Sequence, residues 1–175
     1  MNRYVVVCLV LIAVSACSHA HAAQIYLDPA TGKYPPGVTF AVDVRLDNQN
    51  QCVNATEVDL SYPKNTLQAV AVADGDSILS LWIKEPTIYA DYGLISFIGG
   101  LPGGYCGRTA GDPTLSNKLA TIYFRFPTST AAAPQVPDIE KLIFLSSTKA
   151  ILNDGAGTLA ALTTGGAAYS KIIGG

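Results

Sequence analysis

The sequence predicts an all-β protein, an antiparallel sandwich of two sheets, and three observations carry that reading. Val38, Phe40, Val42, Val44 and Leu46 are apolar, with Thr39, Asp43, Arg45 and Asp47 between them, the period-2 alternation of a half-buried strand. Only 14% of the 175 residues are charged while 16 are glycine and 10 proline, a balance that suits a loop-rich β domain better than a helical one. Turn signals separate the apolar runs throughout, giving about nine strands at a spacing of roughly 8–15 residues. No internal repeat, heptad or amphipathic helix competes with this pattern.

The first 23 residues read as a targeting segment. Arg3 supplies one positive charge in a short polar start, and Val5–Val14 is an apolar run long enough for a secretory signal and too short to span a membrane. Two processing readings stand side by side. Ala20-His21-Ala22 is an A-x-A site that would release a soluble exported protein, whereas Val14-Ser15-Ala16-Cys17 resembles a lipoprotein signal, in which Cys17 would be lipidated and anchor the chain to a membrane. Residues 24–175 then form a single domain.

Within that domain Gln24–Asp28 alternates and stops at Asp28-Pro29, and Thr31–Gly37 reads as a polar turn. After the strand at Val38–Leu46, Val53–Tyr62 is the next, with Val58, Leu60 and Tyr62 on one face and Glu57, Asp59 and Ser61 on the other. Leu67–Ala73 is apolar on both parities and reads as a central strand. Ser77–Trp82 fits a short helix or an irregular crossing equally well. Strands at Thr87–Asp91 and Leu94–Ile98 flank a tight turn at Tyr92-Gly93 and lead into a glycine-rich loop, Gly99–Gly107. Arg108–Asn117 is a polar loop, and Leu119–Phe126 alternates with Ala120, Ile122, Phe124 and Phe126 inward. Pro127–Pro137 reads as a long loop, Ile139–Leu145 as a strand, and Asn153–Gly157 as a hairpin turn continuing into Thr158–Thr163. Ala167–Ile173 extends that strand or forms a short last one.

Cysteine usage fits the exported reading. Once the targeting segment is set aside, Cys52 and Cys106 remain, and two cysteines in an oxidising compartment most simply pair as a disulfide. Closing the intervening loop would stabilise the fold by roughly 4 kcal/mol on the chain-entropy view.

Composition narrows the function classes. A net charge of −2 with pI near 5.5 gives no footprint for nucleic acid. Both histidines, His19 and His21, fall in the targeting segment, so no Ser-His or Cys-His nucleophile can be assembled, and the acidic residues sit mostly at turns; the chain reads as a non-enzyme. No metal site or cofactor is expected: Asp74-Gly75-Asp76 and Asn153-Asp154-Gly155 offer oxygen ligands for calcium, but turn chemistry explains both. The aromatic set Trp82, Tyr89, Tyr92, Tyr105 and Tyr123 could stack sugar rings as a flat strip, while Trp82 fits a core position equally well. Leu101, Pro102 and Tyr105 in the glycine-rich loop offer an apolar rim for a protein contact.

The run Tyr34…Gly37-x-x-Phe40-x-Val42-x-Val44, followed by VNATEVDLSYP (Val53–Pro63), Ser77–Pro86, Gly93–Gly103, Lys118–Phe126 and ILNDGAGT (Ile151–Thr158), resembles the cohesin domain as it occurs on exported bacterial proteins. The resemblance covers Gln24 to about Ile173 and implies a nine-stranded sandwich of jelly-roll topology, related in architecture to a group of carbohydrate-binding modules. It implies further that the domain binds a dockerin-like protein, attaching enzymes of polysaccharide breakdown to a scaffold or cell surface. In that family one sheet makes the contact. Carried over, Asn54, Glu57 and Asp59, with Tyr89, Asp91, Ser96 and Leu101, would form the partner-binding surface. Direct recognition of a polysaccharide by the aromatic strip is the alternative.

Overall fold

A computed structural model of the protein describes residues 22–107, 116–128 and 139–172. Cys17 and the targeting segment before residue 22, most of the expected polar loop at 108–115 and most of the proline-flanked loop at 129–138 lie outside the described residues. Two sheets face each other. The five-stranded sheet has the order β11-β1-β3-β8-β5, and the seven-stranded one runs β2-β12-β9-β4-β7-β6, with β10 also paired to β4. In chain order the strands are β1 Ala23–Asp28, β2 Thr31–Tyr34, β3 Thr39–Asp47, β4 Val53–Ser61, β5 Gln68–Ala73, β6 Leu81–Tyr89, β7 Leu94–Tyr105, β8 Lys118–Arg125, β9 Ile139–Phe144, β10 Lys149–Leu152, β11 Leu162–Gly165 and β12 Ala167–Lys171. The fold is thus the all-β sandwich that the alternation implies, with twelve strand segments among the described residues where spacing gives about nine.

The core lies between the two inner faces. From the five-stranded sheet come Ile25, Leu27, Phe40, Val42, Val44, Leu46, Ile122 and Phe124; Val58, Leu60, Ile95, Phe97, Leu142 and Tyr169 meet them from the other. Each set follows the period-2 pattern of its strand. At one end the Tyr34 and Phe40 rings stack with centroids 3.7 Å apart, and Tyr169 tilts onto Phe40 at 5.3 Å.

Several local expectations are corrected. Thr31–Tyr34 is not a turn but strand β2, which runs parallel to β12, just as β11 runs parallel to β1. The sandwich is therefore not wholly antiparallel. The chain leaves β1 at Pro29, which has no N–H to continue the ladder, and crosses to the other sheet; near the C-terminus β11 and β12 cross the same way, so both ends pair side by side. β5 is not central but an edge strand, because its apolar residues are mostly alanines and Gln68, Val70, Ala71 and Ala73 are exposed.

The Ser77–Trp82 ambiguity resolves into a crossing. Ile78 N–H donates to Lys118 C=O and Ser80 N–H to Gly100 C=O, tying residues 77–80 to both sheets before β6 starts at Leu81. The expected tight turn after β6 is a 3-10 turn, Ala90–Tyr92, capped by Gly93. The glycine-rich stretch continues β7 instead of leaving it. Val53 pairs with Tyr105 and Ala55 with Gly100, so Leu101–Gly104 bulges opposite the single residue Asn54. Asn153–Gly157 does turn the chain, yet only an isolated bridge, Ile151 to Leu159, follows; β10 pairs with β4 and β11 joins the other sheet.

Candidate partner-binding face

The outer face of the seven-stranded sheet collects most of the residues expected to contact a partner. β4 alternates because Val58 and Leu60 must enter the core, which turns Glu57, Asp59 and Ser61 outward, half-buried. Pairing places Glu57 opposite Ile98 of β7 and Lys149 of β10, and Asp59 opposite Ser96. The acidic groups are held. Lys149 Nζ lies 2.6 Å from Glu57 Oε2, and Ser147 Oγ donates to Asp59 Oδ2 at 2.5 Å. Thr148 Oγ1 both accepts from Asp59 N–H at 3.0 Å and donates to its carbonyl at 3.1 Å. The Lys149 and Ser147 contacts fix the two carboxylates in place, and the Thr148 contacts fix the Asp59 backbone.

Ser96 is not solvent-facing as expected. It is 3% exposed because Lys84 lies across it, donating from Nζ to Ser96 Oγ at 2.8 Å while sitting 5.0 Å from the Tyr89 ring centroid. Tyr89 closes β6 opposite Leu94, half-buried. Asp91 is exposed in the 3-10 turn, and Lys64 Nζ donates to its backbone carbonyl. Leu101 does not project as a rim but packs half-buried against the core. Asn54 sits opposite the bulge, its side-chain oxygen buried without a hydrogen bond among the described residues.

Sequence reasoning missed the apolar part of this face. β9 turns Leu142 and Phe144 inward and leaves Ile139 (63% exposed) and Ile143 (58%) outward, with Lys141 between them. Ile143 pairs with Ser61, so it continues the β4 surface, and Leu145 extends it past the strand end. The signal was present, since Ile139–Leu145 is apolar on both parities. That pattern equally fits a strand buried on both faces, and only topology shows one face uncovered.

The aromatic strip does not form. Tyr105 faces the core at 7% exposure, which removes it as a stacking platform. Trp82 is half-buried over the core, edge-on to Phe97 with centroids 6.0 Å apart, while Tyr92 stands out at 81% exposure in the turn. Tyr123 belongs to the other sheet. The cysteines do come together: Cys52 and Cys106 are disulfide-bonded with Cα atoms 4.0 Å apart, joining the start of β4 to the end of β7. Among the described residues no group of three or more His, Cys, Asp or Glu is placed to hold a metal. Asp74 and Asp76 are exposed turn residues, and hydrogen bonds from the Thr158 hydroxyl and then the Ala156 N–H hold the Asp154 carboxyl below its ordinary range, as turn formation does.

No family profile and no curated protein matches this sequence. Solved structures do match its fold. The sixth cohesin of scaffoldin B from Acetivibrio cellulolyticus, in complex with a dockerin, superposes with a TM-score of 0.65 at 12% identity, covering 87% of this chain and 100% of that one. A type I cohesin–dockerin complex from Clostridium thermocellum gives 0.63 at 14% identity, with 87% and 100% covered. A type I cohesin from Pseudobacteroides cellulosolvens gives 0.60 at 13% identity, with 88% and 94% covered. The chain thus shares the fold of these cohesin domains.

Proposed function

We propose that the protein is a non-catalytic binding module that docks a dockerin-like protein through the outer face of β9, β4, β7 and β6. The observation that carries the reading is the character of that face: exposed Ile143, opposite Ser61, and Leu145, bonded to the Asp59 backbone, beside a fixed set of charged groups, Glu57, Asp59, Lys84 and Lys149. Aliphatic anchors within a polar rim are what a protein interface needs, and side chains held in advance lose little entropy on binding. The likeness to cohesins in dockerin complexes supports the class of partner. Under this reading the N-terminal segment exports the domain to the cell envelope, as a secreted or Cys17-anchored protein, and the recruited cargo serves polysaccharide breakdown.

The test is binding of the purified domain to a panel of isolated dockerin modules by surface plasmon resonance. We expect at least one to bind, and the double reversal Glu57→Lys/Asp59→Lys to weaken it by about tenfold or more. Ile143→Asp should weaken it similarly, because it puts an unpaired charge into the apolar part of the contact. Unchanged affinity in both variants would remove this face from consideration.

A further inference from the structure

The opposite outer face, that of the five-stranded sheet, has a different chemistry. Its rows can be read from the pairing register. Tyr123 of β8 stands between Ala41 of β3 and Ala71 of β5, both exposed, so only methyl groups flank its ring in that row. The next row is Asp28, Asp43, Thr121 and Ala73, and the one beyond it Tyr26, Arg45 and Lys118. The two tyrosines therefore occupy opposite corners of a patch, with backbones roughly 16 Å apart from two strand spacings and four residues of rise.

A polar network fills the space between them, in which the buried Arg45 Nε makes no hydrogen bond among the described residues. Tyr26 Oη accepts from Asn117 Nδ2 at 3.1 Å, and Asn117 Oδ1 accepts from Arg45 Nη1 at 3.0 Å. Arg45 Nη2 donates to Asp43 Oδ2 at 2.6 Å, and its Nε lies 3.0 Å from Asp28 Oδ2. Asp43 Oδ1 accepts from Thr121 Oγ1 at 2.6 Å and lies 3.4 Å from Lys118 Nζ, which reaches Asp76 at 3.8 Å. The side chains of Asp43, Arg45 and Lys118 are only 18%, 24% and 19% exposed, unusually well packed for charges on an outer sheet face. Beside this network the alanines leave an open trough of about 310 Å³ lined by Ala41, Asp43, Ala73, Asp76, Lys118 and Tyr123.

We infer that this trough and its flanking tyrosines form a second binding site, one for a neutral polysaccharide chain. Three features select that ligand. The half-buried Tyr123 ring, flanked in its row by two alanines, offers a π face to the C–H face of a pyranose. The ordered network presents acceptors and donors together, matching hydroxyl groups that both donate and accept. Three carboxylates (Asp28, Asp43, Asp76) against two cations (Arg45, Lys118) leave no attraction for an acidic polysaccharide or a phosphate. The distance between the tyrosines suits a chain, not a single sugar. The patch also lacks the large aliphatic anchors of the other face.

Affinity electrophoresis of the purified protein in gels containing β-glucan, xylan or galactomannan, with polygalacturonate as the charged comparison, tests the site. At least one neutral polymer should retard the protein. Tyr123→Ala should weaken retention by about tenfold. Ala71→Gln, an exposed edge-strand change that covers the same ring, should weaken it similarly with an unchanged melting temperature. Tyr92→Ala, remote from this sheet, should change nothing. Absence of retention by all three neutral polymers, retention preserved in both trough variants, loss in Tyr92→Ala, or preference for polygalacturonate would each overturn the site.

Discussion

Gly99 is where the chain makes room for its one tryptophan. A Cβ there would stand 2.9 Å from Leu79 Cδ1 and 3.0 Å from the Trp82 ring, so a larger residue must displace Leu79, the indole or both. Gly99→Ala should cost about 1–3 kcal/mol in urea unfolding and shift Trp82 fluorescence to the red as its ring becomes wetter. An unshifted spectrum would place the adjustment in Leu79 alone. Tyr169 sets a different kind of limit. Its hydroxyl donates to Pro29 C=O at 2.5 Å, and burial first, then Tyr34 and Asp28, pushes its ionisation well above the ordinary 10.0. The folded state thus holds the proton more tightly than the unfolded chain. Its contribution is complete below about pH 10 and is lost as pH rises beyond it. Between about pH 8 and about pH 11 the wild type should lose more unfolding free energy than Tyr169→Phe, and equal losses would clear Tyr169 of the effect. At neutral pH the variant should be roughly 1 kcal/mol less stable, since it leaves the Pro29 carbonyl without that donor.

Among the elements, the β4–β7 pair has the most holding it. Backbone pairing runs from Ser61–Leu94 to Val53–Tyr105, interrupted by the bulge at Leu101–Gly104, and the disulfide closes the bulged end. The cross-link spans 54 residues of sequence. Removing it by Cys52→Ala/Cys106→Ala should lower the unfolding free energy by about 2–5 kcal/mol, most of it through a looser unfolded chain. A loss below about 1 kcal/mol would mean that backbone contacts such as Asn153 N–H to Cys52 C=O hold this end without it. β5 and β9 show why the surface was harder to anticipate than the core. Each is apolar on both parities, yet one is an edge strand and the other a strand with an uncovered outer face.

For the whole molecule, the sandwich presents two outer faces with unlike chemistry. One sets Ile143 and Leu145 beside charged side chains, and the other sets tyrosines around a nearly neutral polar network. A core two sheets thick separates them, so their ligands should bind independently. Tyr123→Ala should leave dockerin affinity within about twofold, and Glu57→Lys/Asp59→Lys should leave polysaccharide retention within the same margin. Competition between the two ligands in a mixed binding experiment would contradict this arrangement.

The sequence by itself determined the strands whose burial alternates. β3, the later half of β4 and β8 from Ile122 on were legible residue by residue, because period-2 patterning is a local consequence of one face meeting the core, whereas Leu119 and Thr121 at the start of β8 are both buried. The pairing of Cys52 with Cys106 was legible from the cysteine count together with the expectation of export. What only the tertiary structure decided was which strands are neighbours and which faces stay open. The parallel pairing of the two chain ends, the edge position of β5, the burial of Ser96 and Tyr105, and the exposure of Ile143 all depend on partners distant in sequence. Local patterning records that a residue is apolar or polar. Which surface covers it is set by long-range packing, and no run of neighbouring residues encodes that.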